Sequence, residues 1–68
     1  MFIRSVVFLH NGNYIAVMCL LEVLIIDLGT GWIIKTIKRL SAPKNVISIS
    51  HRCMCILFSD NYCMLHDL

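Results

Sequence analysis

The side chains with the most chemical potential gather late in the chain, in His51-Arg52-Cys53-Met54-Cys55, with Cys63 and His66 following after a short turn. Zinc takes cysteine and histidine at spacings of roughly two to four residues across a knuckle. Cys53, Cys55, Cys63 and one of His51 or His66 are therefore the candidate ligand set. Extended chain opposes it. Positions 51, 53 and 55 share one face of a strand, but each two-residue step is about 6.6–6.8 Å, which leaves His51 and Cys55 roughly 13 Å apart. Ligands must lie within about 2.0–2.3 Å of one ion, so buried cysteines acting as small apolar side chains are the favoured reading. A disulfide within one strand fails for a related reason, because neighbours two apart point in parallel. Four free thiols in a reducing, intracellular compartment, cytoplasmic or nuclear, are the expectation.

Covalent catalysis needs an activated nucleophile beside a base. No histidine stands beside a cysteine except along one strand, and Ser5, Ser48 and Ser59 have no base at a readable spacing. Gly29-Thr30-Gly31 is a turn rather than a phosphate loop. No catalytic, cofactor-binding or metal residue is assigned, and the chain is read as a non-enzyme. The balance of 6 basic against 4 acidic residues is far from the basic stripe that displaces counterions from nucleic acid. The one basic concentration, Lys35, Lys38 and Arg39, reads as a solvated strand end.

These groups must be positioned by a very small, very apolar chain. It has 68 residues, 59% hydrophobic and 15% charged, against a norm of roughly 45–50% and about 25%. Disorder is excluded, and so much apolar surface on one small domain must face something else. A membrane span is opposed by Glu22 and Asp27 within the most apolar window, Tyr14 to Leu28, which then meets Gly29-Thr30-Gly31. Short apolar runs separated by turns instead predict seven strands: Ile3–Phe8, Tyr14–Met18, Val23–Asp27, Trp32–Ile37, Val46–Ser50, Cys53–Phe58 and Cys63–Asp67. Asn11-Gly12 closes the first hairpin, and Ser41 to Asn45 is the longest connection, with Pro43 barring a central strand. Val23-Leu24-Ile25-Ile26 and Ile15 through Met18 are apolar without alternation, which asks for cover on both faces. Sheets stacked in series, extended by more chain or more copies, satisfy that demand.

Asp27-Leu28 recurs as Asp67-Leu68, 40 residues on, each after an apolar strand; Ser5-Val6-Val7-Phe8 is echoed by Ser48-Ile49-Ser50-His51 at an offset of 43. A period near 40–45 with four strands per repeat is that of WD-repeat propellers. Ser5 to Ala16 resembles the first hairpin of that family, Leu24 to Gly31 its third strand, closing dipeptide and Thr-Gly turn, and Ile33 to Ile37 its fourth strand. Asp60 and Asp67 keep the spacing of the turn and closing aspartates. The chain is thus similar to a degenerate fragment of two WD repeats, and its Ile3 to Phe8 string with Asn11-Gly12 also resembles repeats of Groucho/Tup-type corepressors. The bracing groups of the family are missing: Ile26 and His66 stand for the tryptophan, Leu20 for the first turn aspartate, and no Gly-His precedes the second copy.

The resemblance implies an all-β fold, with an antiparallel four-stranded blade over 1–40 and most of a second over 41–68, in an incomplete propeller. It implies a scaffold that binds protein partners, further blades or copies of itself, without nucleic acid, cofactor or membrane, in the manner of transcription-regulating WD-repeat proteins. Asn11, Gly12, Asp27, Gly31, Asp60 and Asp67 are its structural motif residues, and Trp32, Ile34 and Tyr62 its candidate partner contacts. A small membrane-associated protein and a truncated gene product without a role of its own are the alternatives.

Overall fold

The computed structural model describes residues 2–9, 12–50 and 52–67. It is all-β. The strands are β1 (Ile3–Phe8), β2 (Tyr14–Cys19), β3 (Glu22–Asp27), β4 (Ile33–Lys38), β5 (Pro43–Ser50), β6 (Cys53–Phe58) and β7 (Cys63–Asp67). They form two antiparallel meanders, a four-stranded sheet in the order β1-β2-β3-β4 and a three-stranded sheet in the order β5-β6-β7. Among the described residues no helix is long and apolar enough to cross a membrane.

β5 departs from expectation by starting at Pro43 rather than Val46, so the connection between the sheets shrinks to residues 39–42. The reason is positional. Proline is tolerated as the first residue of an edge strand, where no ladder bond needs its missing N–H, and β5 pairs with β6 alone. A second departure concerns the repeat. Ile25 and Leu65 are 40 apart; Ile25 stands opposite Ala16 and Leu65 opposite Cys55, while Ala16 and Cys55 stand opposite Val7 and Ile47. Register therefore relates β1 to β5 by 40 residues, not 43. The echo of small and apolar residues at 43 is a match of composition that the ladder does not use.

The core lies between the sheets. Ala16, Met18, Val23, Ile25 and Ile37 of the first sheet, with Leu9, meet Val46, Met54, Ile56 and Phe58 of the second. Alternation along each strand then assigns the other faces. In the first sheet Val17, Cys19 and Leu24 form a second cluster, flanked by Ile15 and Ile26, on the side away from the core. In the second sheet Ile47, Cys55, Leu57 and Leu65 alternate with core residues and point outward. Both sheets are thus apolar on both faces.

The first hairpin is closed by a hydrogen bond from the Gly12 N–H to the Leu9 carbonyl at 2.8 Å, with Gly12 at φ +72°. Leu20-Leu21, lacking turn chemistry, closes β2 to β3 with both side chains exposed. Ser59-Asp60-Asn61 does the corresponding job in the second sheet, where Asn61 takes φ +67°. Asparagine tolerates this left-handed conformation better than other side chains.

Candidate functional site

The cysteines correct one expectation. Cys55 and Cys63 are joined in a disulfide across the β6–β7 hairpin, with Cα atoms 6.6 Å apart, leaving Cys19 and Cys53 as free thiols. Spacing along one strand does not reveal this pair. Cys55 stands opposite Leu65, and Cys63 opposite Leu57, so the two are diagonal neighbours on the outward face. The separation falls within the usual range of roughly 4.4–6.8 Å. With both sulfurs bonded to each other, two of the candidate zinc ligands are unavailable as thiolates. Among the described residues no group of three or more His, Cys, Asp or Glu is placed to hold a metal. His51 lies outside the described residues, as do His10, Asn11 and Leu68.

The other motif residues occupy turns or the last positions of strands. Asp27 accepts the Gly29 N–H on Oδ1 at 2.8 Å, and its carbonyl accepts the Gly31 N–H at 2.7 Å. Gly31 takes φ +77°, a left-handed conformation that glycine adopts at no steric cost. Thr30 Oγ1 accepts the Trp32 N–H at 3.2 Å and completes the turn into β4. The Asp67 carbonyl accepts a hydrogen bond from Lys35 Nζ, tying β7 to β4 of the other sheet.

Asp60 belongs to a constellation that the sequence does not advertise. Its Oδ2 pairs with Arg39 Nη2 at 2.7 Å, its Oδ1 accepts the Tyr62 N–H at 3.2 Å, and its own N–H donates to Ser41 Oγ at 3.1 Å. The Arg39 guanidinium lies 4.2 Å from the Tyr62 ring centroid and 4.8 Å from that of Phe58. Partial desolvation opposes ionisation of Asp60, but the Tyr62 amide, Arg39 and Ser41 outweigh it and hold the carboxyl below its ordinary value. Arg39 and Lys35 are therefore fasteners between the sheets rather than parts of a solvated strand end. No spacing rule could reveal this, because Arg39 and Asp60 are 21 residues apart.

Of the three candidate contacts, Trp32 is 73% exposed at the mouth of β4, and Ile34 is exposed on the outward side of the first sheet. Tyr62 is 47% exposed but committed to the Arg39 stack. The structure does not bring these three together. It assembles instead two extended apolar faces. Val6, Phe8, Ile33 and Ile34 rim the outward cluster of the first sheet, and all four are exposed. An open groove of about 520 Å³ continues that face past Cys19, between the exposed Phe2, Leu20 and Leu40. Burial, with Glu22 nearby, pushes the Cys19 thiol up, so it rests as a neutral apolar group. On the second sheet Ile47, Ile49 and Leu65 stand exposed around the disulfide.

Comparison with protein-family models, with curated proteins and with solved structures finds no match for this chain.

Proposed function

We propose that this chain is a non-catalytic protein-binding module, built as one WD-like blade and most of a second. The observation that carries the reading is the outward apolar face on each sheet, in a chain whose charged side chains sit at turns, edges and the seam between sheets. Contiguous exposed apolar surface of this kind marks interaction sites. The blade assignment draws support from two consecutive meanders, stacked face to face at a spacing of 40 residues. Propellers stack typically 4–8 such sheets around a channel.

The mechanism is passive. Rigid sheets present apolar faces for burial, and the edge strands β4 and β7 offer backbone groups for strand addition. Trp32 and Ile34 are both exposed on or beside β4, and a chain added at that edge would meet them.

Cross-linking followed by peptide mapping tests the reading, with the unaltered chain compared to an Ile34→Lys variant. Cross-links to a partner that map to β1–β4 and vanish in the variant are the expected result. Capture unchanged by Ile34→Lys, with an unaltered circular dichroism spectrum, would defeat it.

A further inference from the structure

The two outward faces are not alike, and the difference says what covers them. The row Val7–Ala16–Ile25 of the first sheet corresponds, through the 40-residue repeat and the ladder register, to Ile47–Cys55–Leu65 of the second. The first of these rows is packed against the other sheet, whereas the second points away from it. The complementary row Val6–Val17–Leu24 corresponds to Val46–Ile56–Met64. Here the relation inverts: the second-sheet row packs in the core, and the first-sheet row lies outside.

Two sheets related by a two-fold axis would turn corresponding rows toward each other. These sheets instead turn the front of one to the back of the next, a head-to-tail stack. Its two ends are then the two halves of the contact already made inside the chain. The outward face of the second sheet is the counterpart of the surface that the first sheet presents to the core. The outward face of the first sheet is the counterpart of the surface that fits it.

Resting on the protein-binding reading above, we infer that the partner of these faces is a second copy of this chain, docked head to tail. The outward face of its first sheet covers the outward face of the second sheet. The residues that would meet match the core pair for pair in character. Ile47, Cys55 and Leu65 stand where Val7, Ala16 and Ile25 stand inside, and Val6, Val17 and Leu24 stand where Val46, Ile56 and Met64 stand. None of the six carries a charge. Leu65 is 66% exposed and Val6 49% exposed in the single chain, so both have surface to lose, whereas Val17 and Leu24 are already screened by their neighbours and form the floor of that face. Heterologous contacts of this type close into rings when the rotation per step allows and grow into filaments when it does not.

The test uses sedimentation velocity on the full chain without reductant, and on two variants. Leu65→Glu spoils the outward face of the second sheet, and Val6→Glu that of the first. The unaltered chain is expected to sediment as a multiple of the chain mass, and each variant alone as a monomer with an unchanged β-type circular dichroism spectrum. Mixing the two variants should restore a 1:1 dimer that grows no further, since each retains the one face the other needs. An unaltered chain that stays monomeric at high micromolar concentration overturns the inference, while the cross-linking test still judges the broader binding reading. Self-association of either variant alone overturns it too, because that contact would be two-fold or edge to edge. A variant that loses its spectrum is replaced by Ile47→Glu or Phe8→Glu on the same face, and a monomer alone or self-association then carries the same meaning.

Discussion

Ile56 and Leu65 are apolar residues on neighbouring strands of one sheet, yet they should respond unequally to truncation. Ile56 has no exposed surface and sits between the sheets, whereas Leu65 is two-thirds exposed on the far side. Ile56→Val removes one methylene from a filled site, which costs about 0.5–1.5 kcal/mol. A chain of this length holds roughly 3–10 kcal/mol of folding free energy in all. One kcal/mol shifts the thermal midpoint of so small a domain by roughly 4–8 °C. Leu65→Ala removes more atoms, but from a face open to water in the single chain, so the monomer should lose less than about 0.5 kcal/mol. The assay is denaturant unfolding of the unaltered chain and both variants, at low and at high protein concentration. At low concentration Ile56→Val should lower the midpoint and Leu65→Ala should leave it almost unchanged. Equal losses in the two variants at low concentration would refute the assignment of faces, since covered and open sites cannot cost the same.

Three further outcomes follow from individual contacts. Arg39→Lys keeps the charge beside Asp60 but loses the planar stack on Tyr62 and Phe58, and should lower the midpoint by roughly 4–8 °C, equivalent to about 1 kcal/mol of stacking; no change would remove Arg39 from the seam. Acid should weaken the fold in two stages. Burial, then Lys35, lowers the basicity of His66 against the opposing pull of Asp67, so the unfolded chain binds the extra proton and stability falls as pH drops below about 6.5. Asp60 has a depressed folded value, so its contribution is complete above its ordinary value near 3.8 and is lost below it. His66→Gln should abolish the first stage and spare the second, as followed by stability against pH. Reducing Cys55–Cys63 frees a short loop between residues eight apart, and the chain entropy so released is worth about 2.5 kcal/mol. Unfolding with and without reductant measures that loss, and a thiol titration finding four free cysteines in unreduced protein would contradict the pairing.

Much of the fold is legible from residue order alone, because strand and turn are decided locally. β1, β6 and β7 have the bounds that their apolar runs and flanking turns predict, while β2 and β3 each gain one residue at an end and β4 is shifted by one residue at both ends. Gly12, Asp27, Gly31 and Asn61 terminate strands through their own conformational preferences or their own short hydrogen bonds. Pro43 misleads only because its effect depends on whether the strand lies at an edge, which is a property of the sheet. The absence of alternation in β2 and β3 likewise announces that both faces of the first sheet are apolar, and the second sheet covers one of them.

Tertiary structure alone decides which face is covered by what. Val17 and Met18 are adjacent and equally apolar, so nothing in their types says that Met18 meets the second sheet and Val17 does not. The Cys55–Cys63 bond depends on the register of the β6–β7 hairpin, and the Arg39 clamp on the docking of one sheet against another. Local sequence determines where most strands begin and end and which side chains each of their two sides carries. Pairing between groups far apart in the chain is set by the stacking that brings them together, and burial of apolar surface, which drives that stacking, has no direction of its own.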